Sequence, residues 1–294
     1  MAEPVVFTKE QIERASYPDI ENTLITSITP LSRLDTPHGR TYYQRMVETE
    51  DRTYLYSSTT ILDNVLAKGI GFSMWLGNSV SYDAAMEYAN KRARIGTIAH
   101  QLCMYLIWGR TVDCTHGVFN EDSMSIENIP DEVKLRLQAF IDFCHEHEPE
   151  SIATEISLYT LDETDDGQLL YPWAGTADNV MRIKDKLYLI DIKTGKEYRQ
   201  SHELQLTSYK ILWDHIYGDE HGKIDKMACL YLNSKGKYKL VEYKFAMEEW
   251  FWIYEIFEYM LKDKRGNMPK IKIKAELPNK YSIKPIKGEK EDAG

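Results

Sequence analysis

Asp178, Asp191 and Lys193 have the types and the spacing to converge on one spot. The two acids lie equally far to either side of a polar bend at Lys184 and Asp185, within the stretch AGTADNVMRIKDKLYLIDIK. Its flanks are rich in Val, Ile, Leu and Tyr, which favours two strands, Gly175 to Ile183 and Leu187 to Lys193, with Lys184, Asp185 and Lys186 at the bend. A hairpin centred between Lys184 and Asp185 puts Asp178 directly opposite Asp191, with Cβ atoms roughly 4.5–5.5 Å apart. Side chains alternate along a strand, so Asp191 and Lys193 point the same way. Two acids that close repel, and one takes up a proton unless a cation compensates them. Oxygen donors favour a hard divalent ion, Mg²⁺ or Mn²⁺. Lys193 is no metal ligand; beside such an ion it would position a water or steady negative charge developing on a phosphate. The competing reading is a solvated surface hairpin with an Asp–Lys ion pair.

The elements around this hairpin supply further polar groups. Asp83 to Trp108 reads as a long helix, with a basic segment of Lys91, Arg92 and Arg94 just before Gly96 and His100, which are four apart and share a face. Asp131 to His147 is a second helix with one apolar stripe. Ile152 to Thr160 reads as a strand carrying one acid, Glu155, and LDETDDGQ as an acidic loop after it. Beyond the hairpin, a helix from Ser201 to about Tyr217 stacks Gln205 and Tyr209 on one face. Lys226 to Asn233 and Tyr238 to Phe245 form another hairpin, followed by an amphipathic helix over Ala246 to Leu261. Upstream, Gly39 to Tyr56 is β-like, and Ser57, Ser58, Thr59 and Thr60 open a helix with hydroxyls suited to capping it or to meeting a phosphate.

At 294 residues and 43% hydrophobic the chain can bury a sizeable core. Its net charge of −10 excludes a general polycation, so a nucleic-acid partner would be held by local basic patches and by metal. The start of the chain has no apolar leader and no stretch approaches a membrane span. That favours an intracellular, cytoplasmic protein, and the lack of a transit peptide favours a phage or bacterial setting over an organellar one. Cys103, Cys114, Cys144 and Cys229 are scattered without C-x-x-C pairs, as buried apolar residues of a reducing interior would be. The segment 262–294 holds ten Lys or Arg against five Asp or Glu, a basic extension.

Taken in order, the chain offers His100 on a helix, Gly175-Thr176-Ala177-Asp178, Asp191-Ile192-Lys193-Thr194-Gly195, and Gln205-Leu206-Thr207-Ser208-Tyr209. This resembles the PD-(D/E)XK nuclease superfamily and, within it, the RecB-like exonucleases, over roughly residues 56 to 245. It is most similar to the small stand-alone exonucleases of mitochondria and phages, whose Ser-x-Thr motif is matched by Ser58-Thr59-Thr60. Ala177 stands where the superfamily's name has Pro. The cysteines that ligate an iron–sulfur cluster in some relatives are absent, so no cluster is expected.

The resemblance implies an α/β (α+β) fold: a restriction-endonuclease-like core with a central mixed sheet flanked by helices, plus an N-terminal helical addition. Residues 1–150 would form the N-terminal β and helical part with the His100 helix, 151–261 the nuclease core of the same globular unit, and 262–294 the extension. It further implies a Mg²⁺- or Mn²⁺-dependent deoxyribonuclease acting on single-stranded DNA or free ends in recombination, repair or replication, alongside proteins of those processes. His100, Asp178, Asp191 and the Ile192 carbonyl would hold the metal, with Glu155 joining through water or a second ion. Lys193 would act on the attacking water, and Gln205 and Tyr209 would brace the site or touch DNA. Ser58, Thr60, Arg92 and Arg94 would support DNA binding, and Trp75, Trp108 or Trp173 could stack on bases. The alternatives are a structure-specific endonuclease on the same core and a non-catalytic nucleic-acid-binding protein.

Overall fold

In the computed structural model, which describes residues 31–36, 39–44, 54–66, 70–120, 125–160, 171–197 and 199–262, one strand organises the rest. Ten strands are described: β1 (Leu31–Thr36), β2 (Gly39–Gln44), β3 (Tyr54–Ser57), β4 (Val118–Asn120), β5 (Ser125–Glu127), β6 (Glu150–Tyr159), β7 (Trp173–Ile183), β8 (Lys186–Lys193), β9 (Lys226–Leu232) and β10 (Tyr238–Tyr243). The described helices are α1 (Ser58–Val65), α2 (Ile70–Gly77), α3 (Tyr82–Ile107), α4 (Asp131–His147), α5 (Arg199–Ile216), α6 (Gly218–His221) and α7 (Met247–Lys262). Eight strands make a mixed sheet in the order β1-β2-β3-β7-β8-β9-β10, with β6 also on β7, and helices cover both faces. The fold is thus α+β with a central mixed sheet, and β1 to β3 belong to the same sheet as the strands beyond residue 150.

The central hairpin turns at Lys184, in the left-handed backbone region at φ 58°, and at Asp185. Its pairs run from Ile183↔Lys186 to Asn179↔Ile190, the register expected from a bend between Lys184 and Asp185. Side-chain alternation divides β8 between two cores. Leu187 and Leu189 pack under α1, α5 and α7 with Leu206, Trp213 and Trp250. Ile190 and Ile192 pack under α3 and α4 with Ile98, Leu102 and Phe140. A strand covered on both faces must be apolar nearly throughout, so a buried acid on it stands out.

Partners on β7 change along its length. Its outer edge pairs with β6 from Ala174 to Arg182. Its other edge pairs in parallel with β3 at Trp173 and Ala174, then antiparallel with β8 only from Asn179 onward. Between these two ladders, Gly175 to Asp178 faces no strand on that edge among the described residues. This gap is where the polar side chains gather.

Several expected bounds shift by a residue or two: α3 starts at Tyr82, β6 at Glu150, and α5 at Arg199. The strand β1, the helix α2 and the small β4–β5 pair were not expected from the sequence. No described helix is long and apolar enough to cross a membrane. The extension is described only at Lys262, the end of α7; its remainder, 263–294, lies outside the described residues, as do residues 1–30.

Candidate metal and hydrolytic site

Asp178 sits at the inner end of the gap, and neither ladder pairs it. Its neighbours Ala177 and Val180 both pack into the core beneath α5, so the alternation of β7 slips across Asp178 and Asn179. The freed carboxylate turns inward. Asp178 Oδ2 accepts the Ile192 backbone N–H at 2.8 Å, closing a ladder position that the strands leave open. The same oxygen lies 3.4 Å from His100 Nδ1, brought in by α3 from the opposite face to α5. The helix α3 passes close to the end of β8 at Gly96, where an added Cβ would lie 3.1 Å from the Thr194 side-chain oxygen, Oγ1.

Glu155 completes this side. The β6–β7 pairs Thr154↔Asn179 and Ile156↔Ala177 bracket it and place it opposite Asp178. Its backbone is in the left-handed region at φ 51°, a conformation that costs a non-glycine residue of order 1 kcal/mol or more. One ligand atom each from His100, Glu155 and Asp178 lie within 4.8 Å of one another. Burial and then the nearby Asp191 charge push the Asp178 carboxyl above its ordinary range, against the opposing pull of His100, Lys193 and the Ile192 N–H.

On the α5 side a second group forms around Asp191, which is almost fully buried. Its Oδ2 takes the Lys193 ammonium at 2.6 Å and its Oδ1 the Gln205 amide at 3.1 Å. Gln205 Oε1 in turn accepts from Lys193 at 3.2 Å, and its amide reaches the Tyr209 hydroxyl at 3.2 Å. One turn of α5 therefore braces both ends of the Asp191–Lys193 pair. Tyr209 is itself held by Gly175: a Cβ there would fall 2.3 Å from the tyrosine ring. Burial acts to lower the Lys193 pKa, but Asp191 and Asp178 outweigh it and hold the ammonium above its usual range. Across β9, Cys229 pairs in register with Asp191 and its thiol lies 3.9 Å from Oδ2, so this cysteine is more than core filling.

Other expected residues go elsewhere. Ser57 caps α1, accepting Thr60 N–H at 3.0 Å, while Ser58 and Thr60 are buried and donate to the carbonyls of Ala174 and Arg40. These hydroxyls serve the fold, because a buried hydroxyl needs an internal partner. Arg92 pairs with Glu132 at 2.7 Å and Arg94 with Glu127 at 2.8 Å, bracing α3 against α4 and β5. Trp173 is core, packed on Trp250 and Tyr254, so it is not available for stacking on a base. Trp75 is half-buried beside Phe72 and Tyr88 near the start of α3, and Trp108 lies at its end beneath Arg110. Sequence reasoning missed His202, whose Nδ1 lies 2.6 Å from the Tyr231 hydroxyl next to the Lys193 side of the site. It stands three residues before Gln205, one helical turn away, and that spacing was legible.

No family model and no curated protein matches the chain. One solved structure, described as the crystal structure of SSO0001, aligns with 46% of this chain at 19% identity and a TM-score of 0.29. The aligned part covers 63% of that protein's own length, and a likeness this slight says nothing of fold or activity.

Proposed function

We propose that the protein is a metal-dependent deoxyribonuclease that hydrolyses phosphodiester bonds from free ends of DNA. The observation that carries this reading is the position of Asp178, between an imidazole and a carboxylate on one side and a lysine clamped by acid and amide on the other. An imidazole with oxygen donors suits Mn²⁺ or Mg²⁺. His100, Asp178 and Glu155 present donors within one cation's reach, and the resemblance adds Asp191 and the Ile192 carbonyl. Such an ion would neutralise the crowded carboxylates and polarise the phosphoryl oxygens.

The chain's own groups supply the rest. Lys193, kept as an ammonium, donates to a water and steadies charge on the phosphate, and for the same reason it does not accept the water's proton. As the water oxygen bonds to phosphorus, the bond to the leaving oxygen breaks. The leaving oxygen takes up a proton and the water's own proton passes to solvent, giving a hydroxyl and a phosphate monoester. Gln205 keeps Lys193 aimed through this exchange. The preference for ends and single strands rests on the aromatic group of Phe72, Trp75 and Tyr88, near the start of the helix that carries His100. Base–aromatic stacking is worth roughly 1–3 kcal/mol per base and is indifferent to sequence. Reactions of this class belong to DNA recombination, repair or replication.

The test is digestion of linear single-stranded, linear double-stranded and closed circular single-stranded DNA with Mg²⁺ or Mn²⁺. Degradation of the linear single strand with the circle spared is expected. Equal rates on line and circle would make the enzyme an endonuclease, and binding without cleavage would make it a nucleic-acid-binding protein.

A further inference from the structure

Helix α7 is apolar on two sides. The inner side is core: Trp250, Tyr254 and Phe257 are buried and packed with residues of α1, α5 and β7. The outer side carries Trp252, Ile256 and Tyr259, which are 58%, 48% and 70% exposed. Spaced four and three residues apart, they form one stripe along the helix. Single exposed apolar residues are ordinary, but a contiguous stripe on a helix already anchored by its other side marks a contact surface. Glu248, Glu249 and Glu255 border this stripe and are exposed, and among the described residues none of the three has an ion pair. The helix holds no Lys or Arg before Lys262, so its outer side is acidic as well as apolar.

We propose that the segment 263–294 of the same chain covers this stripe. It holds nine Lys or Arg against five Asp or Glu, and Ile271, Ile273, Ile283 and Ile286 each stand beside a lysine in the sequence. The isoleucines suit the stripe and the lysines suit the glutamates that border it. Trp252 is ten residues back from Lys262, about 15 Å along the helix. The eight residues 263–270 can span up to about 26 Å, so Ile271 is within reach of it. The other long segments outside the described residues have the wrong charge. Residues 1–30 hold two Lys or Arg against five Asp or Glu, and 161–170 hold four acids and no base. A second copy fits no better, because α7 against α7 sets the same glutamates facing one another. The basic segment thus answers to carboxylates of its own chain, whether or not the gap hydrolyses DNA.

The test places the photocrosslinker p-benzoylphenylalanine at Ile256 in the full chain and mixes that protein with an equal amount of the same protein carrying heavy nitrogen. After irradiation the adducts are mapped by peptide mass spectrometry, with circular dichroism to check folding. Ile256 is exposed, so the replacement leaves the core alone, and the probe at Tyr259 serves if the first protein does not fold. The expected product is an adduct to a peptide from 263–294, at the mass of one chain and with no mixed-isotope pairs. Lys270→Glu, Lys272→Glu and Lys274→Glu together should lose most of that adduct. Adducts between chains would overturn the proposal and assign the stripe to a second copy. Adducts only to another part of the chain, a yield unchanged by the three charge reversals, or no adduct within the chain at either position would overturn it as well.

Discussion

Asp178 is a buried acid whose neighbours His100, Lys193 and the Ile192 N–H only partly offset its cost. Burial and the Asp191 charge raise its carboxyl pKa, so the folded protein binds this proton more firmly than the unfolded chain does. The stabilisation is therefore full below the ordinary carboxylate range and is lost as pH rises through the elevated value. Asp178→Asn removes that loss while keeping an acceptor for the Ile192 N–H. With chelator present, the variant should melt above wild type at neutral pH, and the gap should close as pH falls. Melting curves between pH 4 and 8 read this; a wild type that melts higher at every pH would refute the uncompensated acid. His202 has the opposite sign. Burial first and the Lys193 charge second push its imidazole down from 6.5 to about 4. Its contribution is thus intact above 6.5 and drains away as pH drops toward about 4. His202→Gln should flatten that stretch of the stability curve, and an unchanged slope would show that the imidazole is not held neutral. The turn and the shared side of Asp191 and Lys193 were legible in the sequence because hairpin arithmetic needs only alternation and a bend. The expected direct pairing of Asp178 with Asp191 is not made, since the β7–β8 ladder stops at Asn179↔Ile190. Asp178's slip and Glu155's left-handed backbone were not legible, since each arises from how β6, β7 and β8 part company.

At the scale of elements, the gap in β7 is kept open by what fills it. Gly175 lies under the Tyr209 ring so closely that an alanine Cβ would sit 2.3 Å from Cε1. Gly175→Ala must push Tyr209 aside, costing roughly 1–3 kcal/mol as overpacking does. Because Gln205 hydrogen-bonds both Tyr209 and Lys193, hydrolysis should fall further than stability does. Gly96→Ala is the control: its Cβ meets only Thr194 Oγ1, at 3.1 Å, and alanine favours a helix by about 1 kcal/mol, so stability should hardly change. Thermal melts and cleavage rates for the pair check this, and a Gly175→Ala protein with normal activity would detach Tyr209 from the site. The helices α4 and α5 were readable from apolar spacing and end signals, down to Asp131–His147. The pairing of Arg92 and Arg94 with Glu132 and Glu127 was not, because those acids come from segments more than thirty residues away whose docking no local pattern reveals. For α2, IGFSMWLG, the glycines that bound it read as breakers, and its apolar residues have no helical periodicity.

Over the whole molecule, the sheet draws strands from both ends of the described chain to one gap, and helices from both faces reach into it. The mixed character of that sheet and its helical cover were legible from the order of motifs. The crossover that sets β3 and β8 on one edge of β7 was not, because non-local pairing leaves no mark in a single stretch of sequence. With a net charge of −10, the proposed reading relies on groups local to the gap rather than on the overall field to hold a nucleic acid. In the proposed hydrolysis, Lys193 is the residue on which cleavage would turn, since an ammonium is not a metal ligand. The decisive measurement sets wild type beside Lys193→Met, scoring Mn²⁺ binding and cleavage of end-labelled single-stranded DNA in the same samples. Wild type should bind the ion and release labelled nucleotides, and should stop when the ion is chelated. Lys193→Met should bind it and cleave at least about a hundredfold more slowly, as losing a positioned charge stabiliser does. Cleavage by Lys193→Met at the wild-type rate, or none by wild type with either ion, would contradict the central claim.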